Sequence, residues 1–374
     1  MKTQLIFNTP NLIKNLKLIK DYYKIDKTKD GLLITKDHKF GRIGRPYSII
    51  LPNKIKISPE VVGLFVGEGY NNDSSIIFAN SNEIAIDKFL DFIKQFNLRI
   101  NFYLEISIKN KSKKFIQESV NFWEDHLGIK LKRIRLRKEF NSITKHGTIH
   151  VGVNNSFLSK MFKQIINISK IRVEKSKTLA IDYIKGIIAA EGNVNIKKIT
   201  NCVYMVRISA SKEEERTHYK RCLERIGIKI FCKDMPTISK QEGRLKGWKT
   251  YKGRAGAVII SRWDNFIKIL NMDLLELNKD KETKFFKYIL NNKFTKQFMD
   301  FSFFIDKEFT MKQVQNYFNF SGRNVDRLHT LWKEGYANKK LRKGVYIWKL
   351  NNKYIHLYNK IKDISYRFNI TPLV

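Results

Sequence analysis

One short pattern occurs twice, and it constrains the fold more than any other feature of the chain. The first copy is Val61-Val62-Gly63-Leu64-Phe65-Val66-Gly67-Glu68-Gly69. The second is Ile184-Lys185-Gly186-Ile187-Ile188-Ala189-Ala190-Glu191-Gly192. Each is an apolar, helix-length run with small residues four apart, Gly63 and Gly67 in one and Gly186 and Ala190 in the other. Positions i and i+4 share a helix face, so each helix carries a stripe of Gly or Ala against which a second backbone can pack closely. Each run ends Glu-Gly. Glycine after a helix is the usual left-handed stop, which puts the glutamate at the helix C-terminus. The macrodipole disfavours a negative charge there, so a structural role would not choose that place. Two such helices side by side bring Glu68 and Glu191 together, where their charges repel unless a cation lies between them.

The paired runs resemble the signature of the LAGLIDADG homing endonucleases in their single-chain, two-motif form. The matching stretches are GLFVGEG and GIIAAEG: apolar helix, small interface residues, terminal acid, glycine. The family more often carries Asp at the acid position, and the two Glu here reach one methylene further. The resemblance implies an α+β fold of two pseudo-symmetric αββαββα repeats, whose antiparallel sheets form a saddle over duplex DNA. It implies hydrolysis of both strands across the minor groove, leaving 3′ overhangs at a long asymmetric site. It makes Glu68 and Glu191 the catalytic, metal-holding acids, with the carbonyls of Gly67 and Ala190 facing the metal. Mg²⁺ is the expected ion, because it takes carboxylate, water and phosphate oxygens together.

Charge agrees with a polyanionic partner. The 374 residues include 72 Lys and Arg against 35 Asp and Glu, a net charge of +37. A Lys-rich proteome contributes to this excess, so charge supports the paired motif without replacing it. Cys202, Cys222 and Cys232 form no C-x-x-C pattern and suggest no zinc site. Their sparse, odd number fits a reducing compartment. No run reaches membrane-spanning length and the start lacks a signal-peptide core, so a soluble intracellular protein is expected, cytoplasmic or organellar.

Along the chain, residues 1–55 read as a basic extension, with a helix over Asn11–Tyr23, a turn at Asp30-Gly31 and a strand over Leu32–Thr35. Its Gly41-Arg42-Ile43-Gly44-Arg45-Pro46 stretch is similar to arms whose arginines enter a narrow minor groove. An ordinary Gly/Pro loop with solvated arginines is the plainer reading. Residues 56–175 form the first repeat. Ser58-Pro59 opens its motif helix, strands are expected near Ser75–Ala79, Phe102–Ile108 and His150–Val153, and helices over Asn82–Phe96, Phe115–His126 and Ser156–Ile166. Within it, Leu131–Phe140 alternates basic and apolar residues and suits a strand with one basic face, placing Arg133, Arg135, Arg137 and Lys138 on DNA.

Residues 176–295 repeat the order at low identity. Their basic, aromatic segment Arg244–Arg254 supplies Lys246, Lys249 and Lys252. Lys138 or Lys145 in the first half, and Lys249 or Lys252 in the second, are the lysines expected near the scissile phosphates. Residues 296–374 read as helix, turn, helix and basic hairpin, a winged helix-turn-helix-like order. There Arg323, Arg327, Lys340 and Arg342 would meet DNA; a small helical cap is the alternative. With both motifs in one chain, a monomer is expected. Two other functions share these features: an intron RNA maturase, and a transcriptional regulator built on a LAGLIDADG core. The acid kept in both motifs favours the nuclease.

Overall fold

The computed structural model describes residues 3–16, 23–36, 47–107, 112–137, 144–234, 256–319 and 322–367. By its internal contacts the chain divides into two compact units. One comprises residues 1–192, 208–258 and 274–278; the other comprises 193–207, 259–273 and 279–374.

The basic extension is more ordered than its composition suggests. Strand β1 (Leu5–Asn8) leads into helix α1 (Thr9–Lys14), where the Asn8 side chain accepts from the Asn11 N–H and Pro10 occupies the first turn. Strands β2 (Tyr23–Lys27), β3 (Leu32–Lys36), β4 (Tyr47–Leu51) and β5 (Lys54–Ile57) follow. β1 pairs antiparallel with β5, burying Leu5 and Phe7 beside Ile55 and Ile57, while β2, β3 and β4 form their own antiparallel sheet. The expected helix over Asn11–Tyr23 therefore stops at Lys14, and Tyr23 begins a strand. Tyr23–Lys27 pairs residue by residue with Leu32–Lys36 of β3, and Tyr23 turns its ring edge-on to Phe157, 5.2 Å between centroids.

The first repeat opens with α2 (Pro59–Glu68), whose Ser58 cap accepts from the Val61 N–H at 3.3 Å. β6 (Gly69–Asn71), β7 (Ser75–Asn80), α3 (Glu83–Lys94), β8 (Asn101–Ser107), α4 (Lys113–Leu127), β9 (Ile134–Arg137), β10 (Thr148–Asn154) and α5 (Ser156–Lys175) follow. The sheet order is β6-β7-β10-β8-β9, antiparallel except for the parallel β8–β9 pair. One sheet face buries Ile76, Phe78, Leu104, Ile106, Ile149 and Val151. Phe65 of α2 joins this core, 4.6 Å from Phe162 and 5.9 Å from Phe89 between ring centroids. Each such side chain contributes about 1.5–3 kcal/mol by leaving water, which ties the motif helix to the sheet behind it. α5 continues past the expected end at Ile166, because Ser169 and Val173 are still buried.

The second repeat runs α6 (Lys177–Glu191), β11 (Gly192–Lys197), β12 (Cys202–Ala210), α7 (Glu213–Arg225), β13 (Phe231–Asp234), β14 (Gly256–Ile260) and α8 (Trp263–Asn271). Its sheet order is β11-β12-β14-β13. Counted from the motif helix, this is first, second, fourth, third. The first repeat has the same order once α4 and the edge strand β9 are set aside. The repeat is thus one of topology as well as of motif, within an α+β chain.

The C-terminal region contains α9 (Lys279–Ile289), α10 (Lys293–Asp300), a 3₁₀ turn at Phe301–Phe304, β15 (Glu308–Thr310), α11 (Met311–Tyr317), α12 (Gly322–Lys333), β16 (Ala337–Arg342), β17 (Val345–Leu350) and α13 (Asn352–Arg367). Thr310 and Gln313 close a reciprocal capping box at the start of α11. β16 and β17 meet through Lys343-Gly344, both at positive φ (48° and 78°), as a two-residue hairpin requires. The sheet order is β15-β17-β16. Phe301, Phe304, Phe309, Val314, Leu328, Leu331 and Trp348 are its buried centre. Helix α13, unexpected from the sequence, is fastened by the Tyr354 hydroxyl donating to the Phe298 carbonyl and by Lys360 reaching the Leu270 carbonyl and Asp273. No described helix is long and apolar enough to cross a membrane.

Candidate active site

The two motif helices make the most extensive helix–helix contact among the described residues. A Cβ added to Gly63 would lie 2.2 Å from the Tyr183 carbonyl oxygen, and one added to Gly186 would lie 2.2 Å from the Glu60 carbonyl oxygen. One turn further, a Cβ on Gly67 would meet the Ala190 Cβ at 2.5 Å and the Glu191 Cγ at 3.1 Å. The contact advances by four residues on both helices in the same sense, so α2 and α6 run parallel and end together. Glu191 then lies beside Gly67, the residue that precedes Glu68.

The glycines that follow do not act as left-handed stops. Gly69 has φ −89° and ψ 149°, and Gly192 has φ −75° and ψ 146°, both extended. The chain leaves each helix straight into a strand, β6 or β11, with no reversal to make. Clearance explains the residue type: a Cβ would sit 2.4 Å from the Phe65 carbonyl oxygen at Gly69, and 2.4 Å from that of Ile188 at Gly192. Both glycine N–H groups bond those same carbonyls, closing the last helical turn ahead of the strand.

Two helix C-termini and two carboxylates concentrate negative potential at one spot. The charge of Glu191 reaches Tyr219, whose phenol is pushed up chiefly by burial, then by Glu215 and Glu191. Among the described residues, no group of three or more His, Cys, Asp and Glu side chains is placed to hold a metal. A cation here would draw on the two carboxylates and last-turn carbonyls, those of Gly67 and Ala190 included, with water and a ligand's own oxygens completing the set. An all-oxygen set of this kind fits a hard divalent ion such as Mg²⁺. Around the pair, Lys185 bonds Glu276 at 2.7 Å, Lys88 bonds Glu60, and the Asn278 amide donates to the Ala189 carbonyl at 3.4 Å.

No family model matches the chain, and no curated protein matches it. Among solved structures, mesophilic variants of the homing endonuclease I-DmoI align over 59% of this chain and 96% of theirs, at 15% identity and a TM-score of 0.32. I-DmoI in complex with DNA and Mn aligns over 58% of this chain and 94% of its own, at 16% identity and a TM-score of 0.30. I-DmoI with DNA and Ca gives 57%, 86%, 16% and 0.28 in the same order. Likeness this slight carries no argument, and the site is judged on its own geometry.

The open face of the first sheet holds the other side chains of interest. Arg135 and Arg137 alternate along β9 with Ile134 and Leu136, Arg133 directly precedes the strand, and all five are exposed. The strand starts at Ile134 where Leu131 was expected, and Lys138 lies outside the described residues. Tyr103 on β8 stacks on His150 of β10, 4.1 Å between centroids, and the Arg135 guanidinium lies 4.4 Å over the Tyr103 ring. Glu105 accepts from Arg137 at 3.0 Å and stands 3.8 Å from His150 Nε2. Burial, helped by Arg135 and Arg137 against Glu105, pushes His150 down to about 4. Tyr103 and His150 escaped the sequence reading because the register joining their strands is not written in either strand alone.

The remaining expected residues are spread out. Arg42, Arg45, Lys246, Lys249 and Lys252 lie outside the described residues, as does the side chain of Arg323. Lys145 is exposed in an isolated bridge with Gly147. Arg327 is half-buried on α12 and its charge reaches Asp300. Lys340 and Arg342 are exposed on β16, where Arg342 bonds Glu308 at 2.9 Å. The sequence reading missed Lys339, which lies 4.1 Å from the Tyr346 ring and 4.5 Å from that of Trp332.

Proposed function

We propose that the chain is a site-specific DNA endonuclease that hydrolyses one phosphodiester bond in each strand of a duplex. The observation that carries this reading is the parallel packing of α2 and α6, which ends two helices on neighbouring glutamates. Glu68 and Glu191 would hold the divalent metal, Mg²⁺ by the chemistry of the donor set. When bound, the metal supplies Lewis acidity toward the phosphate and lowers the pKa of an attacking water. The chain supplies positioning: the helix pair fixes the carboxylates, and the sheet behind α2 fixes the helix. One chain completes the site, so the working form is a monomer, with repeats spanning residues 56–175 and 176–295. Arg133, Arg135 and Arg137 on the open sheet face would engage the duplex. By the resemblance of the paired motifs, the cuts would fall across the minor groove and leave 3′ overhangs. The order β15-α11-α12-β16-β17 supports a winged helix-turn-helix in residues 296–374, adding contacts through Arg323, Arg327, Lys340 and Arg342.

The test is cleavage of a complex pool of duplex DNA with Mg²⁺, followed by sequencing of the new ends. Paired breaks with 3′ overhangs at one recurrent sequence, abolished by EDTA, are expected. Intact DNA at every metal tried would end this reading.

A further inference from the structure

On the open sheet face, the ring of Tyr103 has a partner on each side. His150 stacks on it at 4.1 Å with 17° between planes, and the Arg135 guanidinium carbon is 4.4 Å from its centroid. Two groups this close to one ring centre cannot share a face, so Tyr103 is sandwiched between the imidazole and the guanidinium. The strand pairings build the sandwich: Tyr103 faces His150 across β8–β10, and Arg135 is level with Glu105 across β8–β9. The neighbouring arginine is in a different situation. Arg137 is tied down by Glu105, a carboxylate whose side chain is only 9% exposed. Arg135 has no carboxylate partner among the described residues and lies exposed at the mouth of a groove of about 700 Å³, lined also by Asn101, Lys130, Lys132 and Arg133.

We infer that Arg135, held over the ring of Tyr103, reads a guanine in the major groove of the DNA target, and that Arg137 does not. The inference rests on the duplex-binding reading proposed above. A guanidinium offers donors only, in a fixed fork. Stacking on a ring occupies its face and leaves the N–H edge for a partner lying in its plane. Guanine presents two adjacent acceptors, O6 and N7, to such a fork, whereas adenine and cytosine present an amino donor in the same groove. A phosphate would accept the same fork, but nothing in a phosphate contact calls for an aromatic sandwich. Lys132 and Arg133 are placed at the groove to take the flanking phosphates, whereas Lys130 is bonded to Glu124 at 2.7 Å. His150 is kept neutral by burial, so it supports the ring without adding a competing charge beside the guanidinium. Tyr103 and His150 are positioning residues that act through Arg135.

The experiment is binding-site selection from a randomised duplex library in EDTA, so that nothing is cut, with wild type, Arg135→Lys and Tyr103→Leu. Arg135 is exposed, and lysine keeps its charge while losing the fork, so folding is not at stake. Wild type should enrich a site with guanine fixed at one position by a factor on the order of ten to a hundred. Arg135→Lys should lose the preference at that position alone, and Tyr103→Leu should weaken it at the same position. An unchanged preference in Arg135→Lys overturns the inference while leaving duplex binding intact. An even loss of affinity across all sequences makes Arg135 a phosphate contact and overturns it too. If wild type enriches no sequence, the proposed function itself fails, and this inference with it.

Discussion

Gly63 and Gly186 face each other across the helix pair, each with its missing side chain aimed at the other helix's backbone. Because a Cβ on either would sit 2.2 Å from a carbonyl oxygen, no side-chain rearrangement can make room. Gly63→Ala and Gly186→Ala must push the helices apart, at a cost of about 1–3 kcal/mol typical of overpacking. Separation also moves Glu68 away from Glu191, so cutting should fall further than stability does. Gly128→Ala is the control. Gly128 has φ 64° with nothing within 4 Å, so this variant should lose about 1–2 kcal/mol of stability to backbone strain and keep its activity. Urea unfolding beside a cleavage assay separates the two cases.

The acid limb of stability should carry a signature of His150. Burial pushes its imidazole down to about 4, whereas unfolded it takes a proton near pH 6.5. Between those values the unfolded chain binds the extra proton, so stability rises with pH across that window. Below about 4 both states are protonated and the contribution is lost. His150→Gln should flatten the curve between about pH 4 and 6.5, and the wild-type imidazole should titrate near 4 by NMR. Titration at an ordinary 6.5 would refute the buried placement.

The two motif helices and the contact between them were legible because small residues four apart describe a helix contact locally. Helix starts at Ser58 and Asn82 were legible for the same reason, since a cap lies within three residues of what it caps. What escaped was set by partners distant in sequence. Tyr23 is a strand residue because β3 pairs with it, not because of its neighbours. Gly69 and Gly192 looked like left-handed stops, but the strands they enter decided their backbone. Helix α13 was overlooked because its anchors, Leu270, Asp273 and Phe298, lie far back along the chain.

Affinity for duplex DNA should fall steeply with salt. Each phosphate neutralised by Lys or Arg adds about 0.9 to the log–log slope, and exposed Lys132, Arg133, Lys340 and Arg342 are among the candidates. Fluorescence anisotropy between low and physiological salt measures the slope, and a flat response would exclude an electrostatic interface.

The contribution of the C-terminal region is best read from point variants. Cutting the chain at residue 300 would strip Tyr354 from Phe298 and Lys360 from Asp273, so a truncated protein would lose packing along with any DNA contact. Lys340→Ala with Arg342→Ala touches only exposed side chains, and the Arg342–Glu308 pair is worth about 0–1 kcal/mol at such a surface. The double variant should fold normally, bind more weakly and protect a shorter footprint, while still cutting. A footprint and affinity equal to wild type would make this region a cap on the fold.

The two acids give the sharpest test. Glu68→Gln and Glu191→Gln keep the shape of each side chain and remove the charge that would hold a metal. Binding to the target should persist or tighten without metal, because two carboxylates beside phosphates repel the duplex. Each acid also sits at the negative end of a helix, where a charge costs about 0.3–1 kcal/mol, and its neighbour repels it. Unfolding should therefore show the variants as stable as wild type or slightly more so, which an acid with a structural role would not allow. Cleavage should drop by orders of magnitude in either single variant, and the double variant should be inert. If each carboxylate serves mainly one scissile bond, single variants should leave nicked duplex, visible as relaxed circles from a supercoiled substrate. Double-strand cutting by Glu68→Gln/Glu191→Gln at the wild-type rate would place the chemistry elsewhere and leave the helix pair as scaffold.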